Sequence, residues 1–348
     1  MASSTIQRRQ QSFVFEATTR CNHDCLHCYN VWKNPRPYPQ GELGTADTLA
    51  MLGAMLDQTG AGLVSLSGGE PMLRADLFEI VDFLAAHAVA VNFITNGSLL
   101  DQAAIARLAP DKVSVFELPL LSSRRELHDR MSGAEGAFDR VTMAMAELKA
   151  AGQRVVGVFV ATRLNLSTWR ETAELAFALG LDGIMLNRFN PGGRGAENLS
   201  LLQASPQEMR AALEEAERLS ARYEMPINCS IAMPPCLFDW GRYPHLGFGL
   251  CAAGTERAYY TLDPLGNVRP CNHSTTILGN IRRTPFCQMA DGERMRAFVS
   301  ARPAFCAGCR LEATCQGGCK AAAEVCCGSP AALDPFLAAY CDQAVRPA

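Results

Sequence analysis

An α/β fold is predicted: a parallel sheet that curls into an open barrel, followed by a small cysteine-rich domain. Three observations predict it. Short β-branched runs alternate with amphipathic helical patterns through the first two-thirds of the 348 residues, as βα units should. Near residue 230 that alternation fades while Pro, Gly and Cys rise, so the divisions expected are 1–230 and 231–348. The fifteen cysteines are grouped, in an opening loop and in the tail, rather than evenly scattered.

Strands are expected at 12–18, 62–68, 90–95, 112–118, 154–162 and 183–189, where Val, Ile and Phe are dense. Helices are expected between them at 46–58, 75–87, 101–109, 138–151 and 168–179. A longer helix, PQEMRAALEEAERLSARY, begins after a Ser205 cap with Pro206 at its first position. Six strands joined by right-handed crossovers give a parallel sheet able to curl into an open barrel. Loops at the strand C-termini of such sheets build the site. The tail reads as folded around metal more than around a large apolar core.

Composition narrows the function classes. The chain is 48% hydrophobic and 19% charged with a formal net charge of −3, an ordinary soluble profile without the basic stripe of a nucleic-acid binder. The start, MASSTIQRRQQ, lacks the apolar stretch of a signal peptide. No run reaches the ~20 apolar residues of a membrane helix. A cytoplasmic protein is expected, and in a reducing compartment so many cysteines read as metal ligands rather than disulfides.

Residues 21–28, CNHDCLHC, place Cys21, Cys25 and Cys28 at C-x3-C-x2-C spacing just after the first strand. Three thiolates on one loop hold three irons of a 4Fe–4S cluster and leave the fourth open. Carrier clusters usually use four cysteines, so the missing ligand is expected from a small molecule. A structural zinc loop is the alternative, although zinc sites usually pair two C-x2-C units or add histidines. The second strand ends in SGGEP, with Gly68, Gly69, Glu70 and Pro71; alone this is also a tight strand-to-helix turn. The third ends in ITNGS, with Asn96, and the fourth carries Glu117.

The loop followed by GGE resembles the radical SAM superfamily, and Tyr29 stands where that family usually has an aromatic residue. The resemblance implies a partial (β/α)6 radical SAM barrel. Its open iron binds the amino and carboxylate groups of S-adenosylmethionine (SAM). It assigns Gly68, Gly69 and Glu70 to the methionine amino group, Asn96 to the nucleoside and Glu117 to the ribose hydroxyls, where many relatives carry Ser-x-Asp. Residues 126–141 resemble a segment reading H-D-x-x-R-G in relatives. Here Ser132 replaces the arginine, leaving Arg130 as the cofactor contact and His128 and Asp129 as loop-ordering residues. Asn165 and Arg188 are expected at the same mouth, and NPGGRG after Arg188 reads as either a cofactor- or substrate-touching loop or a surface turn.

In the tail, Cys251, Gly266 and Cys271 fit C-x9–15-G-x4-C, and Cys306, Cys309, Cys315 and Cys319 fit C-x2-C-x5-C-x3-C. With Cys341 this resembles the seven-cysteine signature of the SPASM domain; tetrahedral zinc is the alternative. The resemblance assigns Cys251, Cys271 and Cys319 to a first auxiliary 4Fe–4S cluster, with an open iron or a ligand from elsewhere. Cys306, Cys309, Cys315 and Cys341 go to a second, where Cys326 and Cys327 compete with Cys341. Cys229, Cys236 and Cys287 stay unassigned, by default buried structural thiols. Cys229 and Cys236 flank the barrel exit in INCSIAMPPC and are catalytic candidates, able to return a hydrogen atom to a substrate radical.

The expected activity is reductive cleavage of SAM to a 5′-deoxyadenosyl radical that abstracts a C–H hydrogen. The leading setting is crosslinking or oxidation of a ribosomally made peptide. A radical dehydrogenase or epimerase of a sugar, aminoglycoside or tetrapyrrole is the alternative, and a non-catalytic multi-cluster electron carrier a second one. Expected partners are the peptide or small-molecule substrate and an electron donor such as flavodoxin or ferredoxin. Only about a dozen residues precede the first strand, so a peptide substrate would call for a separate leader-peptide recognition protein or none.

Overall fold

The computed structural model describes residues 12–33, 37–108 and 110–341. The polar start that bears on a signal sequence lies outside these residues, as does the last position of the helix expected at 101–109. Apolar residues at every second position build the sheet. In β1 (Ser12–Glu16) Phe13 and Phe15 are fully buried; in β2 (Leu63–Ser67) Val64 and Leu66 repeat this, and in β3 (Ala90–Ile94) Val91 and Phe93. β4 (Val115–Pro119) buries Phe116 and Leu118, β5 (Val155–Ala161) Phe159, and β6 (Gly183–Arg188) Ile184 and Leu186. These side chains share one core with the crossover helices α1 (Thr45–Thr59), α2 (Leu77–Ala86), α3 (Gln102–Arg107), α5 (Ala137–Ala150) and α6 (Trp169–Ala178). The alternate positions, among them Ser65, Asn92, Glu117, Val156 and Val158, are half-buried on the concave face.

All six barrel strands pair in parallel and in sequence order. Two short segments read as loops are helical. α4 (Arg125–Ser132) ends on Gly133 in the left-handed conformation, and α7 (Gly193–Glu197) leads into α8 (Leu199–Leu202). α9 (Pro206–Tyr223) starts with the expected Ser205 cap, completed by Glu208 into a reciprocal capping box.

The sheet does not stop at six strands. β7 (Ile227–Ala232) and β8 (Leu246–Gly249) extend it in parallel beyond β6, so residue 230 falls inside a strand rather than at a seam. At the other edge β9 (Tyr260–Leu262) pairs in parallel with β1, and β10 (Asn267–Arg269) and β11 (Gly279–Asn280) follow antiparallel. Eleven strands thus form one open sheet. The tail leans on both of its sides through buried ion pairs. Arg269 pairs with Glu16 of β1, and Arg188 of β6 donates to Asp334 at 2.6 Å. Among the described residues no helix is long and apolar enough to cross a membrane.

Candidate active site

The cysteine loop leaves β1 and is held from three directions. Gly69 and Glu70 donate backbone N–H groups to the carbonyls of Thr18 and Arg20, both at 2.8 Å. This approach demands glycine: a Cβ on Gly69 would stand 2.0 Å from the Arg20 carbonyl oxygen, and one on Gly68, at φ +129°, 2.5 Å from that of Thr18. The C-terminus of α4 comes in next, with Leu26 donating to the Met131 carbonyl at 3.0 Å. Last, α7 lies against the loop. Gly195 donates to the Cys28 carbonyl at 2.9 Å, Asn198 to that of Leu26 at 2.9 Å, and Arg194 pairs with Asp24. The NPGGRG segment is therefore a clamp on the cysteine loop.

Glu70 is fully buried and acts as a hub. Its carboxylate accepts from the Thr95 hydroxyl and the Asn96 backbone N–H at 2.7 Å each, and from the Met72 N–H at 3.1 Å. The ends of β2 and β3 are tied through it. The Asn96 side chain donates to Asn22 of the cysteine loop at 2.8 Å, and Asn30 donates to the Gly68 carbonyl at 3.0 Å. Asn96 and the GGE turn thus lie together beside the cysteines.

Burial pushes all three loop thiols up, and repulsion from Cys28 and Cys21 adds to this at Cys25. Protonated thiols are what a buried loop without a cation must hold, and a bound iron reverses that balance. His23 and His27 also present ring nitrogens without a hydrogen-bond partner beside them. Soft donors on one short, buried, rigidly clamped loop fit an iron–sulfur cluster.

Glu117 projects from β4 onto the concave face between Ile94 and Val156, its carboxylate making no hydrogen bond among the described residues. Burial lifts its carboxyl from 4.5 to about 7. Tyr29, within the field of Glu117 and Cys28, stacks on His273 of the tail at 4.1 Å and accepts from Asn272 at 3.2 Å.

Other expected residues are placed elsewhere. Asn165 is fully buried, and both its amide hydrogens go to backbone carbonyls, Leu121 at 2.7 Å and Val160 at 2.9 Å. Its oxygen accepts from Thr162, so nothing remains for a cofactor. Arg188 is spent on the Ala232 carbonyl, Asp334 and the Phe336 ring. Arg130 is exposed at the end of α4. His128 and Asp129 do order their loop, His128 accepting from Leu121 and Asp129 capping α5 through Gly136 and Phe138. Cys229 sits in the apolar core, 1% exposed and pushed up to about 12 by burial, on the β7 face opposite Ser230, which lines a cavity.

That cavity and one other carry the tail thiols. Cys251, Cys271 and Cys319 line one with Asn190, Tyr259 and His273, where Asn190 Oδ1 and His273 Nδ1 are unpartnered. Cys306, Cys309 and Cys315 line another. No group of three or more His, Cys, Asp or Glu among the described residues is tight enough for a single metal ion. Three thiols around the first cavity, and four around the second, where Cys236 joins the wall, fit clusters of several irons.

Sequence reasoning missed the polar network that seats the tail. Arg269 donates to Glu16 and to the carbonyls of Asn272 and Ser274, beneath the Tyr38 ring, and Tyr38 donates to Asp263 at 2.9 Å. A glutamate closing the otherwise apolar run SFVFE was the available signal.

The family model of the radical SAM superfamily matches residues 15–176, and that of SPASM, an iron–sulfur cluster-binding domain, matches residues 251–315. The mycofactocin maturase MftC of Mycolicibacterium smegmatis is 29% identical over 322 residues, 89% of this chain and 78% of that protein. The PqqA peptide cyclase of Methylocella silvestris is 29% identical over 92% of this chain and 85% of its own length. Among solved structures, SuiB of Streptococcus suis bound to its precursor peptide SuiA superposes with a TM-score of 0.73 at 15% identity. That match covers 93% of this chain and 74% of SuiB, and it speaks for the shared fold.

Proposed function

We propose that this chain, which belongs to the radical SAM superfamily and carries a C-terminal SPASM domain, is an enzyme that matures a ribosomally made peptide. The observation that carries the reading is the arrangement of thiols. One set is clamped against GGE at the barrel mouth, and two more line cavities in the tail. Relatives named as a mycofactocin maturase and a PqqA peptide cyclase match about nine-tenths of the chain.

Cys21, Cys25 and Cys28 would hold the SAM-binding 4Fe–4S cluster, and the tail thiols two auxiliary clusters. When bound, cluster and SAM supply one-electron cleavage of the sulfonium and hydrogen abstraction from an unactivated C–H bond. The protein's residues position and shield. Glu70 fixes the GGE turn and Asn96 beside the cysteine loop. Glu117, whose carboxylate has no hydrogen bond among the described residues, would receive the ribose hydroxyls. The tail, pinned at Glu16 and Arg188, would help to shield the site from water. A flavodoxin or ferredoxin would deliver the electron, a separate protein would present the leader peptide, and the enzyme would work in the reducing cytoplasm.

The test is anaerobic reconstitution with iron and sulfide, then reduction in the presence of SAM and, as candidate substrate, any short precursor peptide found encoded beside the gene. Formation of 5′-deoxyadenosine together with a changed peptide mass is expected. Unchanged peptide, with turnover of a sugar or tetrapyrrole instead, would overturn the peptide reading.

A further inference from the structure

The segment from Cys315 to Lys320 is the partition between the two tail cavities. Cys315 and Gly317 line the one that holds Cys306 and Cys309, whereas Cys319 and Lys320 line the one that holds Cys251 and Cys271. Gly317 packs against Pro303, and a Cβ on it would stand 3.7 Å from Cys306 Sγ. Lys320, at the end of this partition, is an ammonium in a setting that does not suit one. It is 2% exposed, at the first position of the helix Lys320–Cys327, where the helix dipole opposes a positive charge. Its Nζ donates to the Ala301 carbonyl, and Arg302 donates to the same carbonyl at 2.8 Å, so a second cation stands beside it.

Neither cation makes an ion pair among the described residues, and the buried carboxylates of the tail around them are committed elsewhere. Glu324, one turn along the same helix, accepts from the hydroxyls of Ser274, Thr275 and Thr276. Asp334 accepts from Arg188 and from the N–H groups of Cys319 and Phe336. A buried charge left without a partner is strongly destabilising, so a fold keeps one where an anion answers it. The groups whose negative charge reaches Lys320 are the thiols of Cys251, Cys306 and Cys315, which belong to both cavities. A cluster with its thiolates is a net anion, and reduction adds a further negative charge.

We propose that Lys320 is the counter-ion shared by the two auxiliary clusters, and that it holds the reduction potentials of both up. The inference rests on the radical SAM/SPASM reading of the tail and deepens it. A nearby cation favours the more negative, reduced form of each cluster, so the tail accepts an electron more readily than its thiolates alone would allow. Lys320 acts through the clusters and is a positioning residue, not a catalytic one.

The experiment is an anaerobic redox titration followed by electron paramagnetic resonance, without turnover. The parent is the full chain with Cys21, Cys25 and Cys28 replaced by alanine, so that only the tail signals remain. Lys320→Met and Lys320→Gln remove the charge, the second keeping a donor for the Ala301 carbonyl, whereas Lys320→Arg retains it. The parent should bind about eight irons, four for each of two clusters. A value far below that would fail the two-cluster reading of the tail itself, and is thereby distinguished from failure of the counter-ion assignment. With the parent loaded, both neutral variants should lower the reduction equilibrium constant at least tenfold, about 59 mV for one electron, at both clusters. Lys320→Arg should stay near the parent. If the neutral variants bind less iron, Lys320→Arg should still load in full. Full iron with unchanged potentials in the neutral variants, or a shift confined to one cluster, would overturn the proposal. So would an equal drop in potential or in iron in Lys320→Arg, with circular dichroism showing the chain folded.

Discussion

Glu117 shows how much a single carboxyl reveals about the concave face. Its folded pKa stands near 7 against an ordinary 4.5, because burial disfavours the charge and no cation answers it. The native state therefore binds the extra proton between those values, and stability falls as pH rises from about 4.5 to about 7. Glu117→Gln removes that cost. Its Tm should match wild type below pH 4.5 and exceed it above pH 7, by the equivalent of up to about 3 kcal/mol. If the carboxylate receives the ribose hydroxyls, SAM affinity in wild type should rise with pH through about 7. In the Gln variant it should be weaker, by roughly tenfold or more, and flat. Equal affinity in both, measured by equilibrium dialysis, would remove Glu117 from the site. Gly69→Val is a different kind of test. The spacing pointed to a glycine pair that admits a ligand, but the first thing a side chain would meet is the Arg20 carbonyl. The expected result is a displaced cysteine loop, seen as iron lost from the first cluster and about 3 kcal/mol of stability. That the cysteine loop, the GGE turn and Asn96 come together was legible because their residue types announce chemistry after strand ends. Asn165 and Arg188 were not, because the same polar types serve equally to bind buried backbone, and only the fold shows which donors are spent.

Among the elements, the six barrel strands and their long crossover helices were readable from alternation and caps, to within a few residues. Those signals are local and repeat every two or 3.6 residues. What escaped was short or crossed the expected seam. α4 is polar and α7 glycine-rich, and both are held by the cysteine loop rather than by an apolar stripe. β7 carries a fair alternation, Ile227-Asn228-Cys229-Ser230, but it straddles the boundary expected at residue 230. β9, β10 and β11, of two or three residues, owe their pairing to Arg269 and Glu16 as much as to strand propensity. Removing one member of that buried pair leaves an uncompensated charge. Arg269→Met should cost about 3–5 kcal/mol and raise hydrogen exchange in β9 and β10, while adding Glu16→Gln should recover part of the loss. A single variant as stable as wild type would show the pair to be idle.

Seen whole, the molecule is one eleven-stranded sheet whose tail reaches from β1 to β6 across the mouth that holds the cysteine loop. Losing Cys306 and Cys309 together should spare SAM cleavage and abolish peptide product. Circular dichroism must first show the double variant folded, because those thiolates also help to fold the tail. Product at the wild-type rate would show the second cluster to be dispensable. The most direct test of the account is the yield of 5′-deoxyadenosine from reduced, iron-loaded protein, compared with Cys21, Cys25 and Cys28 all replaced by alanine. Wild type should form it, and the triple variant should form none while keeping about two-thirds of its iron, since two of three four-iron clusters remain. Stoichiometric zinc with no 5′-deoxyadenosine in wild type, or undiminished cleavage in the triple variant, would contradict it.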